Sequence, residues 1–214
     1  MKNKVLLERF YNTDNDYEIC IDEAGRGCLM GRVYIASVIL PKQPEYFDGT
    51  DIKDSKKFSS KKKLKTVANY IKENALSYNI SYIDEKTIDE INILKATLKG
   101  MNMCIKDSLT DIKEICEENI SSKNIQAVID GNYFKPYMYF DENKQTLTEL
   151  PHTTIEQGDG KYMGIAAASI LAKDARDTYI QDLCETYPIL SEWYCLNNNM
   201  GYGTKHHLEG IKNY

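Results

Sequence analysis

Three stretches place carboxylates beside glycine at the boundary of an apolar run. They are Asp22-Glu23-Ala24-Gly25 after Tyr17-Glu18-Ile19-Cys20-Ile21, Asp130-Gly131 after Ile125-Gln126-Ala127-Val128-Ile129, and Gly158-Asp159-Gly160 ahead of an alanine-rich segment. Taken singly, an acid before glycine is a common turn former. Together they offer Asp22, Glu23, Asp130 and Asp159 at the ends of elements. Adjacent residues of a regular strand point to opposite faces, but a strand that turns at Gly25 can bring Asp22 and Glu23 to one place. If the strands ending at Asp22 and Asp130 are parallel neighbours, their carboxylates meet at the carboxyl edge of the sheet, where α/β folds place ligands. Crowded acids repel one another, and a hard divalent cation holds them ionised; oxygen-only ligation suits Mg2+ or Mn2+ rather than zinc.

The elements that must position these acids follow from periodicity. The segment 17–21 alternates as a strand, and Val33 to Leu40 reads as a second, stopped by Pro41. Ser59 or Ser60 can cap a helix whose apolar positions are Leu64, Val67, Ala68, Ile71 and Ala75. Leu76 to Ile83 is a short strand, Ile88 to about Ile115 a long helix, Ile125 to Ile129 a third core strand and Pro151 to Ile155 a fourth. Lys161 to Tyr187 is helical, and Ile165 to Ala172 within it is apolar on every side, which requires burial. The positive end of that helix would help tolerate the charge on Asp159. After Pro188 the chain is polar and irregular, then carries Gly201-Tyr202-Gly203-Thr204 and a short terminal helix. Strands and helices interleave, so an α/β domain around a mixed sheet is expected.

Composition bounds the function. With 42% hydrophobic and 28% charged residues the chain can bury a core, and its net charge of −5 argues against coating nucleic acid through bulk charge. Between Lys53 and Lys65, however, seven lysines face one acid, Asp54, a candidate phosphate-facing edge. The six cysteines form no C-x-x-C pair, and reduced thiols are expected. No apolar run is long enough for a membrane span, and the start reaches charge before any signal-like core develops, so a cytoplasmic protein is expected.

Asp22-Glu23-Ala24-Gly25-Arg26-Gly27 resembles the signature of the type 2 ribonucleases H, ribonuclease HII in particular. The resemblance continues in Asp54-Ser55-Lys56-Lys57, Val128-Ile129-Asp130-Gly131, Gly158-Asp159 with Ile165 to Lys173, Arg176-Asp177, and Gly201-Tyr202-Gly203-Thr204 with His207. These blocks fall in family order and span residues 17 to 208. The resemblance implies one RNase H-like domain over 1–214, a central mixed β-sheet flanked by helices, with a short C-terminal helical appendage whose segment from about 188 contacts substrate. It implies endonucleolytic cleavage of the RNA strand of RNA/DNA hybrids and incision 5′ to single ribonucleotides in duplex DNA, leaving 3′-hydroxyl and 5′-phosphate ends. Asp22, Glu23, Asp130 and Asp159 then become the catalytic acids and the ligands of two Mg2+ or Mn2+ ions, Asp22 bridging both. Gly25, Arg26 and Gly27 become the contacts to the ribose 2′-hydroxyl, Tyr202 packs on the neighbouring sugar, Ser55, Lys56 and Lys57 meet phosphate, and Ser169 joins the substrate contacts.

The chain departs from the family pattern at Cys28 and Arg32, where proline is usual, and at Met200, where a lysine often stands; about four extra residues follow Tyr187-Pro188. Asp174 replaces an aliphatic residue and reads as a solvated helix position or a neighbour of the metal site. Asp177 suits helix capping or pairing with Arg176 or another basic residue, and His206, His207, Trp193 and the tyrosines suit packing or surface roles. Two further readings stand beside this one: a type 3 ribonuclease H without junction specificity, against which the intact Gly25-Arg26-Gly27 argues, and a non-catalytic hybrid-binding module. The expected partners are RNA/DNA hybrid and ribonucleotide-containing duplex DNA, with a monomer as the default; the tail Gly210 to Tyr214 carries no recognisable sliding-clamp motif.

Overall fold

The computed structural model describes residues 7–116, 122–141 and 143–214. The charged start of the chain, residues 1–6, lies outside them. The strands are β1 (Tyr17–Ala24), β2 (Val33–Ile39), β3 (Ser77–Ile83), β4 (Ile125–Asp130), β5 (Met138–Asp141), β6 (Thr146–Glu149) and β7 (His152–Ile155). Five form one sheet in the order β3-β2-β1-β4-β7, and β5 and β6 pair separately. β2 is antiparallel to both β1 and β3, while β4 runs parallel to β1 and β7 parallel to β4. This is the mixed sheet expected.

The helices are α1 (Lys61–Asn74), α2 (Glu85–Ile91), α3 (Ile93–Cys116), α4 (Met163–Thr186), α5 (Ile189–Tyr194), α6 (Leu196–Asn199) and α7 (Lys205–Asn213). Strand alternation sorts the core into two layers. Ile19, Ile21 and Ile35 face α3, with Ile105 and Ile112, whereas Ala36 and Val38 face α4 and α1, with Ala167, Ile170, Leu64 and Ile71. Burying each isoleucine contributes about 1.5–3 kcal/mol. Helix α4 comes close to the sheet because its first turns carry almost no side-chain bulk. A Cβ added at Gly164 would lie 2.4 Å from Cys20 Sγ and 2.9 Å from its Cβ. Close packing of α4 on β1 therefore fixes the residues further along the helix over the end of that strand.

Four features correct the sequence reading. The long helix expected from Ile88 to Ile115 is broken at Asn92, whose φ of 70° ends α2 while its Oδ1 accepts from the Lys95 amide to start α3. Hydrophobic spacing runs through this break, so periodicity missed it. The β5–β6 pair was not anticipated, because its outward face carries exposed Met138, Phe140 and Leu147 and so lacks an amphipathic pattern. The irregular stretch after Pro188 contains α5 and α6. Asp174 is not solvated: it is buried, with Lys65 Nζ at 3.1 Å and Lys72 Nζ at 3.6 Å, and ties α4 to α1.

Because Gly164 rests on Cys20 without room for a methyl group, Gly164→Ala is expected to lower stability by about 1–3 kcal/mol despite its better helix propensity. In a Cys20→Ala background the loss should shrink, since the nearest obstructing atom is gone. Urea denaturation of the single and double variants measures both, and additive losses would show that the contact is not the cause.

Candidate active site

The parallel register sets Cys20 beside Val128 and Ile21 beside Ile129, so one step on Asp22 comes level with Asp130 at the carboxyl edge of the sheet. Both project on the α4 side. Asp22 is 5% exposed, and its Oδ1 accepts from the Glu23 amide at 2.7 Å. Burial pushes its carboxyl well above the usual range, Asp130 and Glu23 push it further, and a hydrogen bond with Ser169 only partly offsets them. Burial also raises Asp130 and Glu23. Asp130 is steadied by the Gly158 amide, which donates to its Oδ1 at 2.6 Å, and Glu23 by Arg26 at 3.7 Å. Gly158 is needed at that spot: an added Cβ would sit 2.6 Å from Ile165 Cδ1 and 3.2 Å from Asp130 Oδ1.

Asp159 is buried in the 3-10 turn Gly158–Gly160 that precedes α4. Lys56 Nζ stands 3.5 Å from its Oδ2. Although burial works to lower it, the Lys56 ammonium is held above its ordinary value by Asp159, Asp54 and Asp22. The neighbouring Ser55 is buried and shares a 3.0 Å hydrogen bond with Ser169 of α4. Lys57 instead turns back to Asp54 at 3.5 Å and does not line the cleft.

The cleft has a volume of about 190 Å3, and Asp22, Glu23, Asp130, the Gly25-Arg26-Gly27 turn, Ser55, Lys56, Ser169 and Tyr202 border it. Its far wall is knotted by Arg176, 1% exposed, which donates to Met200 O at 2.6 Å and to Met30 O at 3.2 Å. Gly25, at φ 108°, lies directly on that side chain; a Cβ there would come within 2.4 Å of Arg176 Nε. The Leu29 amide donates to Gly201 O at 2.9 Å, and Cys28 and Tyr202 form an isolated antiparallel bridge. Buried His207 shares a 3.0 Å hydrogen bond with Tyr202 O, so α7 supports the tyrosine from behind.

Lys173, Arg176 and Asp177 also border the cleft, and no site role was assigned to them from the sequence. Their signal was legible: with Ser169 they recur at helical spacing along one face of α4. Asp177 pairs with a basic residue of its own helix, as expected, and that residue is Lys173 at 2.9 Å.

Among the described residues no three acids have the spacing of ligands to one shared ion. The fit to a divalent cation lies instead in the donor chemistry: oxygen donors only, Asp22 buried and Glu23 and Asp130 half-buried, with proton affinities raised by burial and by one another.

A carboxyl raised in the folded state holds a proton that the unfolded chain has already released. Stability therefore falls as pH rises from the ordinary carboxylate range through the raised value, and stays reduced above it. Asp22→Asn should accordingly melt higher than the parent chain at about pH 8 with no divalent cation present, by about 2–4 °C for each kcal/mol relieved, the gap closing toward about pH 4. Added Mn2+ should raise the melting temperature of the parent and not of the variant. A variant that melts lower at about pH 8 would remove the argument from charge crowding.

A family model described as Ribonuclease HII matches residues 19–214. A ribonuclease HII of Parabacteroides distasonis is 41% identical over 191 residues, covering 89% of this chain and 81% of the relative. One of Flavobacterium psychrophilum is 38% identical over 214 aligned residues, covering 98% of this chain and 90% of the relative. Among solved structures, the PCNA:RNase HII complex of Archaeoglobus fulgidus holds a chain with a TM-score of 0.58 at 22% identity, covering 92% of this chain and 87% of that one. Bst-RNase HIII in complex with Mn2+ gives a TM-score of 0.63 at 13% identity, covering 97% and 71%. At these identities the solved structures speak to the fold alone, whereas the family match and the relatives together cover the sheet, the cleft and the segment behind Tyr202: the chain belongs to the ribonuclease HII family.

Proposed function

We propose that the chain is a divalent-metal-dependent endoribonuclease that cleaves the RNA strand of RNA/DNA hybrids and incises 5′ to a single ribonucleotide in duplex DNA. The observation that carries this reading is the joining of two surfaces in one cleft. Crowded carboxylates at the ends of β1 and β4 lie against a glycine turn stitched to Tyr202. Asp22, Glu23, Asp130 and Asp159 would hold two Mg2+ or Mn2+ ions. Bound there, such ions supply Lewis-acid stabilisation of the charge that develops on the phosphoryl oxygens.

The remaining work belongs to the chain. An added Cβ at Gly27 would meet nothing within 4 Å, so the Gly25-Arg26-Gly27 turn is open at Gly27, where its backbone can approach a ribose and hydrogen-bond the 2′-hydroxyl, the group that separates RNA from DNA. Tyr202, 46% exposed, offers its ring to the adjoining sugar. Lys56 sits where a backbone phosphate can draw it from Asp159, and Ser55 braces Ser169 beneath Asp22. Hydrolysis adds water to phosphorus and breaks the bond to the 3′ oxygen, so the products are a 3′-hydroxyl and a 5′-phosphate.

The test is incision of a labelled DNA duplex carrying one ribonucleotide, beside a matched hybrid and an all-DNA control, in Mg2+ and in Mn2+. One cut on the 5′ side of the ribonucleotide is expected. Cutting of the hybrid alone would favour a nuclease without junction specificity, and binding with no cut a non-catalytic module. Asp130→Asn should lower cleavage by about a hundredfold or more while hybrid binding persists or improves, because a repelling charge leaves the phosphate's path. Lys56→Ala should weaken binding similarly across sequences and reduce the slope of log affinity against log salt by about one. An unchanged slope would take Lys56 off the phosphate.

A further inference from the structure

The turn between β1 and β2, residues 25–32, carries the glycine-arginine-glycine contact yet holds little of itself in place. Its internal backbone bond is the Cys28 amide to Gly25 O at 3.2 Å. Its geometry is imposed from outside, at one end by Arg176. At the other end stands Arg32, whose guanidinium carbon lies 4.2 Å from the centre of the Tyr82 ring and 4.5 Å from that of Tyr179. The flat cation is thus held between a ring of β3 and a ring of α4. Tyr34 completes the cluster, 5.6 Å from Tyr82 and 5.9 Å from Tyr179 between ring centres. The Tyr179 hydroxyl is anchored in turn on Glu85 of α2.

This clamp bears on the site through the backbone. A Cβ at Gly25 would lie 2.8 Å from Arg32 O, so the carbonyl of Arg32 and the side chain of Arg176 are the two surfaces on which Gly25 rests. Tyr179 follows Arg176 by one helical turn, and a Cβ at Gly31 would be 3.4 Å from its ring. Helix α4, which also presents Ser169 below Asp22, therefore grips the turn at both ends.

We infer that Arg32, sandwiched between Tyr82 and Tyr179, is a positioning residue that sets the height of the substrate-contacting turn over the carboxylates, and thereby the enzyme's ability to act on a lone ribonucleotide. The inference rests on the proposed function. A single ribonucleotide offers one productive register, so a displaced turn loses it. A long hybrid offers a ribose at every step, and a displaced turn still finds one.

Arg32→Ala should lower kcat/KM on the single-ribonucleotide duplex on the order of ten- to a hundredfold, the scale of a small misplacement, and on the long hybrid by much less. Arg32→Lys should not rescue, because an ammonium keeps the charge but lacks the plane that fits between two rings. Tyr82→Phe should behave as the parent. Amide exchange in residues 25–32 should quicken in Arg32→Ala and Arg32→Lys alike. Equal losses on both substrates, full rescue by lysine, or unchanged exchange would each overturn the clamp. A parent protein that cuts neither substrate would overturn the proposed function instead, and the exchange measurement would still decide whether Arg32 holds the turn.

Discussion

Everything around the cleft answers one electrostatic problem: the parallel register of β1 and β4 sets buried Asp22 level with half-buried Asp130 at one edge of the sheet. Ionising both there is opposed by burial and by mutual repulsion. The neighbouring groups are arranged as partial remedies. The Gly158 amide serves Asp130, Ser169 serves Asp22, Arg26 serves Glu23 and Lys56 serves Asp159. None is a full counter-charge at contact distance, which leaves the cluster short of positive charge and suited to a cation. Stability is given up at this edge and recovered in the layers where isoleucines and alanines pack on both sides of the sheet.

Closeness of α4 to β1 is what lets one helix serve the whole site. Gly164 and the alanines that follow bring the helix axis down onto the strand, and the residues beyond them reach successive parts of the cleft. Ser169 lies under the acids, Lys173 and Asp177 form the side, and Arg176 and Tyr179 hold the turn. The rigidity of a helix packed without gaps is thereby lent to a loop that has little of its own.

Much of this was legible in the residues. Apolar runs ending in acid and glycine identified the strands and the edge at which they finish, and the unbroken apolar stretch from Ile165 to Ala172 identified a buried helix. What escaped depended on partners distant in sequence. Asp174 looks like a surface residue until α1 supplies Lys65 and Lys72. The break at Asn92 hides because the apolar rhythm continues across it, while the signal, a side chain able both to take a positive φ and to cap the next helix, is local and small. Arg176 and Arg32 are ordinary cations in a string of letters, and only the fold shows one buried against two carbonyl oxygens and the other between two rings.

The knot at Arg176 also has a consequence in time. The turn that begins at Gly25 leaves the ribosome well before the carbonyl of Met200, on which both Arg176 and Cys28 bear and which is made 172 residues after Cys28. Contacts across so long a stretch of chain form late, since a large loop must close before they give anything back. During synthesis, β1 and β2 can pair and the carboxylates of β1 can take their places while the wall that faces them is still missing. The cleft is thus completed last, and a chain halted short of Met200 would carry its acids without the edge that tells one sugar from another.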